Sequence, residues 1–180
     1  MSEQLPQFRY FPEPVKTDVI VVDADAVCPC CERARGYRYT GPFYTVDEVD
    51  GLCPWCIADG SAHDRFDGSF VADIAWGYPV QHVPDAVVDE VTHRTPGFRA
   101  WQEPRWWAHC DDAAVYLGPA GAAELAELSV DDVECIRLTA DYRADDWERI
   151  RPALRADGDA ALVLFRCRRC AQYGGYVDLS

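Results

Sequence analysis

Apolar positions fall in short, separated stretches along this chain, and each stretch is bounded by turn-forming residues. Val19 to Val22 is a β-branched run that predicts a strand leading into a cysteine cluster. Tyr37 to Tyr44 places β-favouring aromatics around Gly41-Pro42, which predicts a short hairpin. After Cys53, Pro54 suits the first turn of a helix through Trp55, Ile57 and Ala58, extending towards Phe66 if Gly60 does not stop it. Asp85 is placed to cap a helix over 86–93 that ends at Thr95-Pro96-Gly97. Ala113 to Leu117 reads as a strand and Ala120 to Leu128 as a helix. Ser129 with Asp132 starts another helix through Cys135, and Pro152 interrupts a helix over 144–155. The end of the chain is a β-hairpin: Ala160 to Phe165, a turn Cys167-Arg168-Arg169-Cys170, then Gln172 to Val177. Pro6, Pro12 and Pro14 keep the opening segment extended. These elements specify an α+β fold, a single domain over 1–180 with a small mixed sheet, Cys-rich zinc-knuckle turns and a C-terminal hairpin like that of a zinc ribbon.

The chain has 180 residues and a formal net charge of −14. That charge disfavours a duplex nucleic-acid partner, because phosphates would be repelled unless a local basic face intervened. A basic protein is the complementary partner. The longest apolar runs are far shorter than a bilayer requires, so no membrane insertion is expected. The first ten residues are too polar for a secretion signal. Nine cysteines without an export signal point to a reducing cytoplasm, where grouped cysteines hold metal more often than they form disulfides.

A Cys-x-x-Cys turn supplies two thiolates from one tight bend, and two such turns complete the tetrahedron that zinc prefers. Cys28, Cys31, Cys53 and Cys56 form that arrangement, with 21 residues between the pairs. A second site starts from Cys167 and Cys170, with Cys110 as the third ligand and either Cys30 or His109 as the fourth. Counting favours Cys30, since all cysteines except Cys135 then make two sets of four. The position of Cys30 between two ligands of the first site argues against it. The adjacency of His109 and Cys110 argues against His109, because neighbours in a strand point to opposite faces. Cys135 lies in a helical pattern and reads as core. Two zinc ions, each held by four thiolates and each adding about −2, would bring the net charge near roughly −18.

At these residues the chain resembles the CbrC family of bacterial proteins. The resemblance is carried by Leu52-Cys53-Pro54-Trp55-Cys56-Ile57-Ala58-Asp59-Gly60-Ser61-Ala62, Thr95-Pro96-Gly97-Phe98, Trp101-Gln102 and His109-Cys110. Leu5-Pro6, the Cys28-x-Cys30-Cys31 cluster, Gly41-Pro42-x-Tyr44 and Phe165-x-Cys167-x-x-Cys170 follow the same order. One departure is Ala171, which stands where the family pattern has glycine. The resemblance implies a role in tolerance to colicin E2 and control by a two-component regulator, and it implies no particular reaction.

Other side chains carry competing chemistry. Arg99 and Trp101, with Trp106 and Trp107 close behind, would form an aromatic and basic binding platform, although tryptophans at this density more often fill a core. If nucleic acid binds, that stretch and Arg166, Arg168 and Arg169 are its footing. For hydrolysis the histidine–carboxylate sets are His63 with Asp64, His93 with Glu90, and His109 with Asp111 and Asp112. The leading reading is a zinc-stabilised cytoplasmic protein acting through interactions in toxin tolerance or stress response. A metal-dependent hydrolase or nuclease using His109 or His93 is the first alternative. A thiol redox protein working through Cys167 and Cys170 is the second.

Overall fold

The computed structural model describes residues 4–76 and 82–180. Among the described residues, seven strands form three sheets. β1 (Ile20–Val22) pairs antiparallel with β2 (Tyr37–Tyr39), and β3 (Asp73–Trp76) pairs in parallel with β4 (Arg105–Trp107). β5 (Val115–Ala120), β6 (Ala160–Arg166) and β7 (Tyr173–Leu179) make an antiparallel sheet with β6 in the centre. Helices α1 (Pro54–Ala58), α2 (Ser61–Phe66) and α3 (Asp85–Arg94) belong to the first half of the chain. Helices α4 (Ala122–Ala126), α5 (Val130–Thr139) and α6 (Ala144–Ile150) lie between β5 and β6. No helix among the described residues is long and apolar enough to cross a membrane. The α+β expectation therefore holds, as does the terminal hairpin.

The apolar run over 160–165 has a simple cause. Val163 and Phe165 face one buried cluster, while Leu162 and Leu164 face another beneath α4, α5 and α6. A strand covered on both faces must be apolar at successive positions. The first cluster is aromatic. Phe98 stacks on Tyr116 with ring centroids 4.1 Å apart, and Phe165 and Trp106 meet edge to face at 5.8 Å. Trp106 also donates its Nε1–H to the Ala114 carbonyl at 2.8 Å, so the indole is both buried and satisfied.

Several elements differ from the sequence expectations for local reasons. Gly60 adopts φ +84° and splits the stretch after Cys53 into α1 and α2. Residues 37–44 do not fold back on themselves. β2 pairs with β1, and Tyr44 instead exchanges backbone hydrogen bonds with Ser69. Pro42 cannot donate to a ladder, and its carbonyl accepts the Tyr39 hydroxyl at 2.6 Å. Asp85 sits inside the first turn of α3, where its charge favours the helix dipole, and Pro84 takes the cap position. Ser129 caps α5 by accepting the Asp132 N–H at 3.1 Å, as its spacing predicts. Ala120 belongs to β5, so α4 begins two residues later.

Gly97 brings the chain carrying Phe98 close against Phe70, where an added Cβ would lie 2.1 Å from the Phe70 carbonyl oxygen. Gly97→Ala must push two backbones apart beside a fully buried ring, and overpacking of this kind costs about 1–3 kcal/mol. The urea midpoint should fall with an unchanged slope. An unaltered midpoint would show that the contact yields at no cost.

Candidate metal centres

Two loops with the same hydrogen-bond pattern build the two sites. In the first, Cys28 N–H donates to the Arg33 carbonyl at 3.1 Å, and Glu32 N–H returns to the Cys28 carbonyl at 2.8 Å. In the second, Cys167 N–H donates to the Gln172 carbonyl at 2.8 Å, and Ala171 N–H returns to the Cys167 carbonyl at 3.1 Å. The residue after the second cysteine is left-handed in both, with φ 58° at Glu32 and 63° at Ala171. This turn points both thiols of a Cys-x-x-Cys pair to one side. Backbone amides also reach the sulfurs: Cys53 N–H to Cys28 Sγ at 3.2 Å, and Arg169 N–H to Cys167 Sγ at 3.4 Å.

The first loop meets the N-terminal end of α1. Pro54 opens the helix, and Cys53 and Cys56 face Cys28 and Cys31. Their sulfurs are 3.9 Å (Cys28–Cys56), 3.8 Å (Cys31–Cys53) and 3.5 Å (Cys53–Cys56) apart. A zinc–sulfur bond of about 2.3 Å gives a tetrahedron with edges of about 3.8 Å, so the spacing fits a divalent ion. It is far longer than the roughly 2.05 Å of a disulfide. The donor chemistry also fits. Cys28 is held down to about 4 by the thiol hydrogen bond from Cys53, Cys53 is pushed well up by that same bond, and Cys56 is pushed up chiefly by burial. The Cys28 thiolate is sustained by its neighbour's thiol proton and by backbone amides, and a cation in the centre would take the place of the thiol proton. Cys28, Cys53 and Cys56 are buried and Cys31 is partly buried.

The second loop, joining β6 to β7, meets His109 and Cys110. His109 Nδ1 lies 3.3 Å from both Cys110 Sγ and Cys170 Sγ, and Cys167 completes a group of four. The objection to adjacent donors fails because the chain is not extended there. Cys110 and Asp111 both have positive φ, 55° and 53°, within a tight turn closed by the Ala108–Ala113 bridge. Cys30, favoured by counting, joins neither group. Its sulfur lies 3.6 Å from Ser61 Oγ, outside either group of donors. A histidine in place of the fourth thiolate makes the second group one negative charge lighter than the count assumed. This group is the more open one, with Cys167 buried, His109 and Cys110 partly buried and Cys170 exposed. Burial pushes the Cys170 thiol up, but the Gln172 amide and the Cys167 and Cys110 thiols outweigh it and leave it lowered.

Asp112 anchors this second group. It is buried, and its carboxylate accepts the Tyr10 hydroxyl at 2.8 Å and the Arg168 guanidinium at 3.0 Å, with Arg169 Nε at 3.9 Å. Its backbone carbonyl accepts the His109 N–H at 3.0 Å. One residue thus ties the His109–Cys110 turn to the Cys167–Cys170 turn and to the N-terminal segment. No local pattern marked this role, since Tyr10 is 102 positions away.

The remaining candidates separate. Trp106 and Trp107 are core residues at 0% and 2% exposure, which removes them from any binding platform. Trp101 is exposed, and exposed Arg99 donates to the Thr40 carbonyl at 3.0 and 2.7 Å. His63 and His93 take partners other than the carboxylates the sequence offered them. His63 Nδ1 meets the Gly68 carbonyl, His93 Nδ1 meets Asp89 where Glu90 was expected, and Glu90 pairs with Arg9. The rings of His63 and His93 stack at 3.6 Å. Cys135 is half-buried on α5, and its neighbour Ile136 is the core residue.

A family model described as "Uncharacterised protein family (UPF0167)" matches residues 5–179. A UPF0167 protein of Mycobacterium bovis is 45% identical, the alignment covering 99% of this chain and 95% of the relative. A UPF0167 protein of Mycobacterium tuberculosis matches equally well. One from Pseudomonas aeruginosa is 40% identical over 96% of each chain. No solved structure matches the chain.

Metal analysis of the purified protein should find about two divalent ions per chain, falling to about one in Cys31→Ser and in His109→Ala, and unchanged in Cys30→Ser. Cys30→Ser losing an ion would return the fourth ligand to Cys30. Ala171 is strained at φ 63°, which costs about 1–2 kcal/mol, while glycine loses about 0.5–1 kcal/mol of chain entropy. Ala171→Gly should therefore raise stability by about 0.5–1 kcal/mol, read as a higher denaturant midpoint of the metal-loaded protein.

Proposed function

We propose that this chain, which belongs to the UPF0167 family, is a cytoplasmic protein with two structural zinc ions that acts by binding a basic protein partner. The observation that carries the structural role is closure. Each group already offers four side-chain donors, three or four of them thiolates. A catalytic zinc keeps a position open for water or substrate, and neither arrangement provides one. His109, the best candidate base of the hydrolase alternative, has its Nδ1 between two sulfurs and is better used as a donor. Zinc is the reading of the metal because a closed, thiolate-rich tetrahedron suits a soft, redox-inert ion. Each ion would fasten a loop that has little core of its own.

The partner reading rests on charge. The chain carries −14, and thiolate-bound zinc adds about −3 across a four-thiolate and a three-thiolate site. Asp131 and Asp132 open α5, and Asp145 and Asp146 open α6, on the helices that cover one face of the β5–β7 sheet. Such a surface steers and holds a cationic protein. The stretches that resemble the CbrC family all lie within the matched span, so the proposal extends to that finer assignment. Tolerance of a colicin-type toxin would then follow from neutralising a basic nuclease domain.

Binding to a cationic nuclease domain, followed by calorimetry, should weaken strongly between 50 and 500 mM salt, over which the screening length shrinks about threefold. Salt-independent affinity, or no association at low salt, would remove the electrostatic reading. Cleavage of RNA or DNA by the purified protein, abolished in His109→Ala with both ions retained, would replace it with the nuclease reading.

A further inference from the structure

A cleft of about 630 Å³ opens between residues 40–44, residues 98–104 and one face of the β5–β7 sheet, away from both metal groups. That volume lies within the roughly 300–1,000 Å³ of small-molecule sites. Beneath its lining lie Phe98 and Tyr116, buried and stacked on each other. At its edge stands Trp101, 62% exposed, the largest apolar side chain left to solvent among the described residues.

Two opposite charges line this cleft without neutralising each other. Asp178 is 4% exposed, and its oxygens accept the N–H groups of Trp101 at 2.7 Å and Gln102 at 3.0 Å. That clasp fixes the backbone carrying the indole, and each carboxylate oxygen keeps a further acceptor position. Arg99, two residues before Trp101, is held on the Thr40 carbonyl through Nε and Nη2, with donors to spare. Tyr44, on the opposite wall, is pinned through its backbone to Ser69 at 2.7 and 2.9 Å. The walls are therefore set before any ligand arrives.

The geometry points to a binding site for a small aromatic zwitterion of the aromatic amino-acid class. The ring stacks on Trp101 above the buried Phe98–Tyr116 pair, the carboxylate meets Arg99, and the ammonium meets Asp178. A nucleotide would share the stacking and the arginine contact. It would also bring net negative charge to a chain of −14, whereas a zwitterion brings none.

The test uses the metal-loaded full chain and the NMR signal of the Trp101 indole N–H, assigned by its loss in Trp101→Phe. Titration with L-phenylalanine should shift that signal saturably. Phenethylamine, lacking the carboxylate, and 3-phenylpropionate, lacking the ammonium, should each bind about tenfold more weakly or worse. By calorimetry, Arg99→Gln should weaken L-phenylalanine about tenfold and leave phenethylamine unchanged, and Trp101→Ala should weaken both. Asp178→Asn can disturb the loop, so the Arg99→Gln comparison decides the charge assignment. No saturable shift up to about 10 mM L-phenylalanine, tighter binding of AMP than of L-phenylalanine, or equal loss of both amines in Arg99→Gln would each overturn the proposal.

Discussion

Four sulfurs held within 4.8 Å of one another, mostly out of water, are an arrangement the polypeptide cannot stabilise alone. Ionising one thiol pushes its neighbours up, and burial penalises each further charge. A central divalent ion removes both penalties together. The loops that bring these sulfurs together contain few residues of regular structure, so their geometry depends on the donors converging. Helix α1, which carries Cys56, packs against both β2 and α2.

The two groups use one solution with different second halves. Each has a Cys-x-x-Cys turn with the same pair of backbone hydrogen bonds and a left-handed residue at its end. The first is completed by a helix start, which sinks three of its four sulfurs into the core. The second is completed by two adjacent residues in a tight turn, and its Cys170 stays exposed to solvent. Its support is polar. Buried Asp112, satisfied by Tyr10 and Arg168, does there what apolar packing does around the first group. A buried carboxylate persists only when its acceptor positions are filled, and here the filling links three distant segments.

Between these two groups the aromatic core keeps the sheet and the loop 98–104 in fixed relation. β6 is covered on both faces, and Phe98, Trp106, Tyr116 and Phe165 interlock on one of them. The same packing leaves a cleft beside the sheet, edged by Trp101 and closed by Asp178. Tryptophans that look alike in the sequence therefore have opposite fates. Trp106 and Trp107 fill the core as neighbours on β4, while Trp101 stays on the surface because Asp178 holds its backbone at the rim.

Much was legible in the residue order because it depends on local chemistry. Paired cysteines, a proline after Cys53, a serine three residues before Asp132 and an unbroken apolar run over 160–165 each specify a turn, a helix start or a strand wherever they occur. The membership of the second metal group was not legible. The choice between Cys30 and His109 turned on the left-handed bend at Cys110 and on the Cys30 sulfur's contact with Ser61. The parallel pairing of β3 with β4, the Asp112–Tyr10 bond and the cleft likewise join segments far apart along the chain. Composition and spacing determined which donors exist and how each turn folds. Only the tertiary structure decided which turns meet, because that depends on packing between segments whose separation in sequence carries no local signal.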